Sequence, residues 1–454
     1  MPPNVLFILL DSCRADKVTG DNKSSITPTL DHLINNGTYF SQNISSADGT
    51  LLSWASLFTG LHPFKTGIRS EKFHKLDKNI PTFFQTFKKN GYHFYGHLPT
   101  ISKTVGIFPE FENQDSTFDY YLGLSEGLGN KILDMFSSNQ MIEPWLTYLH
   151  IEDLHFPIKV PDEFNDDKYG KTNFDRSLSS FDSWLNKILS KIDLEKTLVI
   201  FTADHGSYLT SINHNGIQIS LEANAYLQTT ARNIGNKTPN FLKPVKSKAF
   251  FTLEKLRKKR RINKIKNLNL KPHEKRGLLW QRSDIDHFLY DDLVHVPLLF
   301  SGFLIPKGLT ISQQVRTMDI FPTILEIINI PNLENIDGHS LVSLLNGKSM
   351  KEDLVYIESP HLSKEIVTND VIGLRSSDFK YFRDKDDPKN RVHLFNLNDD
   401  PFEDENVALT HPEIVQSMEN ELQIILSQKP NSTEKIDDEE TKKIEEELKK
   451  LGYL

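Results

Sequence analysis

Short apolar runs recur along the chain, and polar residues follow them closely. Four runs stand out: Val5–Leu10, Leu146–Leu149, Thr197–Thr202 and Val296–Ser301. The first stops at Asp11, and the third is followed by Asp204-His205. Continuous apolar runs of this length are typical of strands that are buried on both faces of a parallel sheet.

Helix-like segments separate these runs, namely Pro28–Asn36, Ser53–Phe58, Ile80–Asn90 and Phe174–Lys191. Strands that alternate with helices indicate βαβ units, so we predict an α/β fold with a mostly parallel central sheet. Ligands bind such sheets at the carboxyl ends of the strands. The acidic and histidine residues at the strand ends are therefore candidates for function.

The pattern changes from about Leu374. Short strand-like pieces at Ile372–Leu374, Lys380–Arg383 and His393–Leu397 are joined by polar turns, which indicates a small antiparallel unit with a covering helix. We predict a catalytic α/β domain over 1–370, a small C-terminal α+β subdomain over 371–427, and a charged linker with a terminal helix over 428–454.

Composition narrows the classes of protein. The chain has 454 residues, 38% of them hydrophobic, a net charge of -8 and one cysteine, Cys13. Global disorder, a disulfide framework and a zinc site built from several thiolates are excluded. No apolar run approaches the roughly 18 residues of a membrane span, and the first residues lack a basic segment and a cleavage site. A cytoplasmic location is the resulting expectation.

One segment is strongly basic. Residues 243–276 contain 14 lysines and arginines against two acidic residues, Glu254 and Glu274. We interpret the surrounding stretch, about 215–285, as an insertion between two pieces of the sheet. It is either a solvated helical surface or a contact surface for a polyanion, a phosphorylated substrate or anionic lipid headgroups. Nucleic acid is disfavoured because few aromatics are interleaved and the whole chain is acidic.

Four residues together suggest a metal site. Asp11, Asp204 and His205 follow predicted strands, and carboxylate oxygens with one imidazole suit a divalent cation. Thr50 follows Gly49 at the start of a predicted helix, where backbone amides favour a phosphate or sulfate group. The alternatives are a helix N-cap for Thr50 and ordinary turn chemistry for Asp204 and His205.

Several segments in order resemble the sulfatase-like branch of the alkaline phosphatase superfamily. They are N-V-L-F-I-L-L-D-S-C-R-A-D (Asn4–Asp16), T-L-L-S-W-A-S-L-F-T-G-L-H-P (Thr50–Pro63), T-L-V-I-F-T-A-D-H-G (Thr197–Gly206), D-H-F-L-Y-D-D-L-V-H-V-P-L-L-F (Asp286–Phe300), M-D-I-F-P-T-I-L-E (Met318–Glu326), I-D-G-H-S-L-V-S-L-L-N-G (Ile336–Gly347), L-R-S-S-D-F-K-Y (Leu374–Tyr381) and H-L-F-N-L-N-D-D-P-F-E (His393–Glu403). The resemblance implies an alkaline-phosphatase-like fold, with helices on both faces of the large sheet and a small C-terminal antiparallel subdomain.

The departures from the family pattern concern the nucleophile. Sulfatases carry C-x-P-S-R or S-x-P-S-R, whose first residue is oxidised to formylglycine, and that position here is Thr50. A threonine cannot become a formylglycine because its Cβ carries a methyl group. Leu52 and Trp54 occupy the proline and arginine positions, and the family segment G-K-W-H-L-G has no counterpart. Ordinary sulfate-ester hydrolysis is therefore disfavoured.

Relatives with a threonine nucleophile act on phosphodiesters or transfer phosphoryl groups, so the resemblance implies a metal-dependent hydrolase or transferase for a phosphodiester or phosphonate ester. Asp11, Thr50, Asp204 and His205 are the implied ligands of one divalent ion. Serine at position 12, in place of a second aspartate, favours Mn²⁺ or Zn²⁺ over Ca²⁺.

The resemblance also implies catalytic roles for His150, His155 and His287. The expected partner is a small-molecule, lipid or glycan ester with a phosphate or sulfate group, and the basic residues 243–276 are expected to make peripheral contact with an anionic surface. Two alternatives stay open. One is a sulfatase that works without formylglycine, and the other is a non-catalytic binding protein on the same fold.

Overall fold

A computed structural model describes residues 2–68, 76–77, 79–118, 122–138, 140–214, 217–221, 256–279, 289–359 and 370–428. His287, residues 243–255 of the basic segment and residues 429–454 of the predicted linker and helix lie outside this part of the chain.

A nine-stranded mixed sheet forms the centre of the molecule. Its strands are β1 (Asn4–Leu10), β2 (Gly37–Ile44), β3 (His93–Pro99), β4 (Thr117–Phe118), β5 (Trp145–Ile151), β6 (Thr197–Thr202), β9 (His295–Gly302), β10 (Leu309–Ile311) and β11 (Val315–Arg316). The order is β10-β2-β9-β6-β1-β5-β3-β4, with β11 beside β2. The predicted α/β class and mostly parallel sheet are confirmed.

One orientation differs from the prediction. Val296–Ser301, expected as a parallel strand, lies in β9 and runs antiparallel to both β2 and β6. Leu198 of β6 pairs with Gly302 at the end of β9. Strand β9 therefore begins at the edge of the sheet where β6 ends.

Helices cover both faces of the sheet, as predicted. They span Ala15–Val18, Pro28–Asn35, Thr50–Thr59, Pro63–Thr66, Phe83–Lys89, Leu128–Ser137, Asn173–Leu189, 256–265, Pro272–Leu279, Asp291–Val294, Ile320–Ile327, Val342–Leu345 and Pro412–Leu426. Successive side chains of β1 point to opposite faces of the sheet and therefore belong to two separate apolar cores. Phe7 and Leu9 pack with the Thr50–Thr59 helix, whereas Leu6 and Ile8 pack with the Asn173–Leu189 helix. Among the described residues, no helix is long and apolar enough to cross a bilayer.

A second, antiparallel sheet forms the C-terminal unit. Its strands are β12 (Val355–Ser359), β13 (Val371–Arg375), β14 (Phe379–Asp384) and β15 (His393–Asn396), and the Pro412–Leu426 helix packs on it. The predicted boundary at 371 falls between its first two strands. Fully buried Lys380 ties this sheet to the large domain, since its Nζ lies 2.5 Å from Asp291 Oδ1. The remaining hairpin, β7 (Ser211–His214) and β8 (Ile217–Ser220), stands apart.

A buried histidine on β3 gives a stability test. His97 is 0% exposed, and neither ring nitrogen has a hydrogen-bond partner among the described residues. Burial lowers the pKa of His97, with smaller effects from Asp115 and Lys131. A lowered pKa means that the native state disfavours the protonated ring, so stability is lost as pH falls below about 6.5, the ordinary pKa of histidine.

We expect His97→Leu to raise the free energy of unfolding by about 1 to 3 kcal/mol at pH 7.5, because an unsatisfied buried polar group is removed. The advantage over the parent should widen at pH 5.5. Urea unfolding at both values measures it, with His93→Leu on the same strand as the control. A constant difference across pH would show that His97 protonates without cost.

Candidate active site

Residues from four parts of the chain meet at the carboxyl edge of the central sheet. Asp11 follows β1, and Asp204 and His205 follow β6, its parallel neighbour. His150 is the penultimate residue of β5, the neighbour of β1 on the other side, and Thr50 starts a helix that packs on this sheet. The structure thus brings together the four residues predicted to bind a metal ion.

Local backbone geometry places Thr50 at its helix terminus. Gly49 is the N-cap residue with an extended backbone, so Thr50 is the first helical residue and the predicted alternative of an N-cap threonine is wrong. The helix ends at Gly60, whose φ of 70° is left-handed and favours glycine. The Thr50 hydroxyl oxygen lies 3.2 Å from Nε2 of His205. The nucleophile candidate therefore lies at the positive end of the helix dipole and beside the imidazole.

The orientation of His205 is fixed from behind. Nδ1 lies 2.7 Å from the Gly206 carbonyl oxygen, so Nδ1 carries the proton and donates it. Nε2 then presents its lone pair toward the carboxylates, 3.8 Å from Asp11 Oδ1 and 3.6 Å from Asp204 Oδ2. A carbonyl acceptor behind a histidine is the usual support of a metal-binding imidazole.

The donor set fits a divalent cation. Asp11, Asp204 and His205 each offer one atom, all within 4.8 Å of one another, and tetrahedral ligands bound at about 2.1 Å lie roughly 3.4 Å apart. Oδ2 of Asp204 is buried and accepts no hydrogen bond within the described part of the chain. Its other oxygen accepts the amide of His205 at 2.9 Å. A buried carboxylate oxygen without a hydrogen bond, facing an imidazole nitrogen, is a suitable binding position for a positive ion.

Electrostatics support the same assignment. Burial, followed by the charge of Asp11, raises the pKa of Asp204. Burial opposes ionisation of Asp11 too, but His155 and the hydrogen bond from His150 hold the pKa of Asp11 below its usual range. The two carboxylates raise the pKa of His205 against the effect of its burial. Two carboxylates buried side by side require a compensating positive charge, which a metal ion supplies.

The predicted catalytic histidines have different surroundings. His150 is fully buried, with Nε2 donating to Asp11 Oδ2 at 3.2 Å and Nδ1 lying 3.1 Å from the Tyr148 hydroxyl. Trp54, at the arginine position of the family pattern, contacts the His150 ring edge-on at 5.0 Å. These contacts favour a role for His150 in holding Asp11. His155 is 8% exposed and close enough to Asp11 to affect its pKa.

We expect His150→Leu to weaken binding of Mn²⁺ or Zn²⁺ by about 10- to 100-fold, because Asp11 loses the donor that orients it. Titration calorimetry on metal-depleted protein measures the dissociation constant. Tyr148→Phe, which removes only the more distant partner, should have a smaller effect. The buried His62, outside this cluster, provides the control His62→Leu, and equal losses in both histidine variants would contradict the assignment.

Three further residues adjoin the site. Glu152 forms a second potential metal-binding group with Asp11 and His150. The sequence analysis did not name Glu152, although its position two residues after His150, at the end of β5, could have indicated it. Asp48, also missed, accepts a hydrogen bond from the Ser359 hydroxyl at 2.5 Å, and burial raises its pKa to about 6. Cys13 is buried and its pKa is raised, chiefly by burial, so its thiol is unsuited to nucleophilic attack.

The sequence matches two family models. The model described as Sulfatase matches residues 3–330, and the model described as N-sulphoglucosamine sulphohydrolase, C-terminal, matches residues 284–431. Arylsulfatase K of Homo sapiens is 35% identical over 144 residues, which are 31% of this chain and 27% of the relative. The chain therefore aligns with about a quarter of the length of that curated relative.

Solved structures agree at the level of the fold. A 2-O GAG sulfatase superposes with a TM-score of 0.65 at 16% identity, covering 97% of this chain and 96% of the other. A phosphonate monoester hydrolase of Agrobacterium radiobacter superposes with a TM-score of 0.63 at 16% identity, covering 94% and 96%.

Proposed function

The chain belongs to the sulfatase family, and from that premise we propose that it is a divalent-metal-dependent hydrolase whose nucleophile is Thr50. The proposed substrate is a phosphodiester or a phosphonate monoester. The contact between the Thr50 hydroxyl and His205, beside the carboxylates of Asp11 and Asp204, carries the proposal.

Asp11, Asp204, His205 and Thr50 would hold the ion. When bound, the metal ion favours the alkoxide form of a coordinated hydroxyl and neutralises charge on the non-bridging oxygens of the ester. His150 keeps Asp11 oriented, and the Gly206 carbonyl keeps the lone pair of His205 directed at the site.

The reaction has two displacements. Thr50 Oγ1 releases its proton to solvent and attacks phosphorus, and the bond from phosphorus to the leaving oxygen breaks with its electron pair on that oxygen. His155 is the candidate acid that protonates this oxygen, since His150 is fully buried, His155 is 8% exposed, and His205 would hold the ion. A water molecule then gives a proton back to His155 and attacks the phosphothreonine, the phosphorus–threonine bond breaks, and Thr50 Oγ1 takes up a proton from solvent. One water is consumed for each ester cleaved.

The threonine side chain favours phosphorus over sulfur. A formylglycine hydrate carries a second hydroxyl on the same carbon, which can expel sulfate by breaking the carbon–oxygen bond. Thr50 has no such second hydroxyl, so its ester can be released only by attack on the central atom. The Cβ methyl group and the absence of the family arginine at Trp54 support the same choice. Sulfate-ester hydrolysis is the second candidate, because the family itself is named for it.

A paired ester screen tests the proposal. Metal-replete protein is assayed with bis(p-nitrophenyl) phosphate, a phenylphosphonate monoester and p-nitrophenyl sulfate, each with and without chelator. Chelator-sensitive turnover of the first or second ester supports it. Turnover of only the sulfate ester would replace the substrate class, and a protein that binds no metal and cleaves none of the three would be a binding protein on the sulfatase fold.

A further inference from the structure

The inserted segment contains a basic helix, residues 256–265. This helix packs with the β7–β8 hairpin and the Pro272–Leu279 helix. Ile265, Leu270 and Leu278 share an apolar cluster with the hairpin. The cluster fixes the rotation of the helix, because Ile265 must face the hairpin.

The cluster is anchored at the carboxyl edge of the central sheet. Arg276 is 7% exposed, donates to Asp292 Oδ2 at 3.0 Å and lies over the Tyr290 ring at 3.7 Å. The same Asp292 carboxylate binds Arg14, three residues after Asp11. On the other side, His273 Nδ1 lies 2.8 Å from Asp404 Oδ2. The Pro272–Leu279 helix, which shares the apolar cluster with the basic helix, is therefore linked through the Arg276–Asp292 and Asp292–Arg14 ion pairs to the loop that carries Asp11.

Its charge is unbalanced. From Leu256 to Lys271 there are eight lysines and arginines and no acidic residue. At 3.6 residues per turn, Lys259, Arg260 and Lys264 lie on the half of the helix that faces away from Ile265, and all three are exposed. Arg260 and Lys264 are four residues apart, a like-charge spacing that disfavours a helix in isolation. An external polyanion would relieve this repulsion.

We propose that this outward face, Lys259, Arg260 and Lys264, docks a glycan that carries several sulfate or phosphate groups, and so holds a polymeric substrate at the edge where the ester is cleaved. The inference that the docked polymer is also the substrate rests on the proposed function, whereas the inference that the face binds an anionic glycan is independent of it. Electrostatic attraction raises the local concentration of an anionic chain and accelerates its encounter with the protein.

Other polyanionic partners fit the face less well. Residues 256–271 contain no aromatic side chain on which bases could stack, which disfavours single-stranded nucleic acid. Of the exposed large apolar side chains Leu256, Ile262 and Leu268, only Leu256 lies on the outward half of the helix, so the three do not form one apolar face for insertion into a bilayer. Sulfate or phosphate groups along a sugar chain need only spaced cations, which is what the face presents.

The test compares two variants that lose the same charge. One is Lys259→Gln/Arg260→Gln/Lys264→Gln. The control is Lys191→Gln/Lys196→Gln/Lys307→Gln, whose exposed lysines flank the start of β6 and the end of β9 at the opposite edge of the sheet. Binding of a heparin-derived dodecasaccharide is measured from 25 to 200 mM NaCl, alongside phosphatidylcholine–phosphatidylserine vesicles and hydrolysis of bis(p-nitrophenyl) phosphate.

We expect the helix variant to bind the dodecasaccharide at least about tenfold more weakly at 100 mM NaCl, with a salt dependence shallower by about two released ions. The control should bind like the parent, and hydrolysis of the small ester should be unchanged in both. Equal losses in the two variants, unchanged binding in the helix variant, or binding of vesicles in place of the dodecasaccharide would each overturn the proposal. Helix-dependent binding by a protein that cleaves no ester would support docking while refuting the proposed function.

Discussion

Thr50→Ala should lower kcat/KM for the ester that the protein cleaves by about 10³-fold or more, because the covalent route loses its nucleophile. The hydroxyl stands at the first turn of a buried helix and 3.2 Å from His205 Nε2. An alanine has high helix propensity and fits without a clash, so folding should be preserved. Steady-state kinetics under metal saturation measure the loss.

Two variants sharpen this result. Thr50→Ser keeps the hydroxyl and should stay within about tenfold of the parent, since only the methyl group is lost. Thr59→Ala, at the other end of the same helix, removes a buried hydroxyl that donates to the Ala55 carbonyl at 2.6 Å and should leave turnover unchanged. If Thr50→Ala keeps more than a tenth of the activity, water or another group attacks the ester directly, and the covalent intermediate is refuted.

The strands that carry the site were readable from the sequence because they are apolar on both faces. Strands β1 and β6 match the predicted runs within one residue, and their chain order placed Asp11 and Asp204 at one edge. Strand β2 was missed, since Gly37–Ile44 is largely polar. Some of its polar side chains nevertheless find partners within the fold, as Thr38 Oγ1 donates to the Pro306 carbonyl at 2.9 Å. Burial of such a strand depends on partners distant in sequence, which periodicity does not encode.

The roles within the site needed the register of the sheet. Parallel pairing of β1 with β5 sets Leu9 opposite His150, so the imidazole lies beside Asp11. The catalytic role of His150 was implied by the resemblance of its segment to the family pattern, which could not show that both of its nitrogens are engaged, with Asp11 and Tyr148. The direction of β9 was likewise unreadable, because it depends on the path of the whole insertion.

The second large effect concerns the metal. Asp204→Asn is nearly isosteric, and the amide oxygen can still accept from the His205 backbone amide as Asp204 Oδ1 does. The amide nitrogen then replaces Oδ2, the buried oxygen that faces His205 Nε2 at 3.6 Å. The variant therefore removes one anionic ligand with little change in shape. We expect kcat/KM to fall by about 10³-fold. Metal at 100 times the parent's Kd should stabilise the parent by about 2.7 kcal/mol, and Asp204→Asn should lose this stabilisation.

The thermal stability of the metal-free variant distinguishes the loss of a metal ligand from general damage to the fold around the site. Two carboxylates repel each other in the metal-free protein, and burial together with Asp11 raises the pKa of Asp204, so neutral asparagine should leave the metal-free Tm equal to or above that of the parent. Asp182→Asn is the matched control, because this buried carboxylate accepts the amides of Thr29 and Leu30 far from the site. It should respond to metal like the parent. A metal-free Asp204→Asn protein that unfolds well below the parent would mean that Asp204 serves the fold, and metal-dependent stabilisation that persists in this variant would place the ion elsewhere.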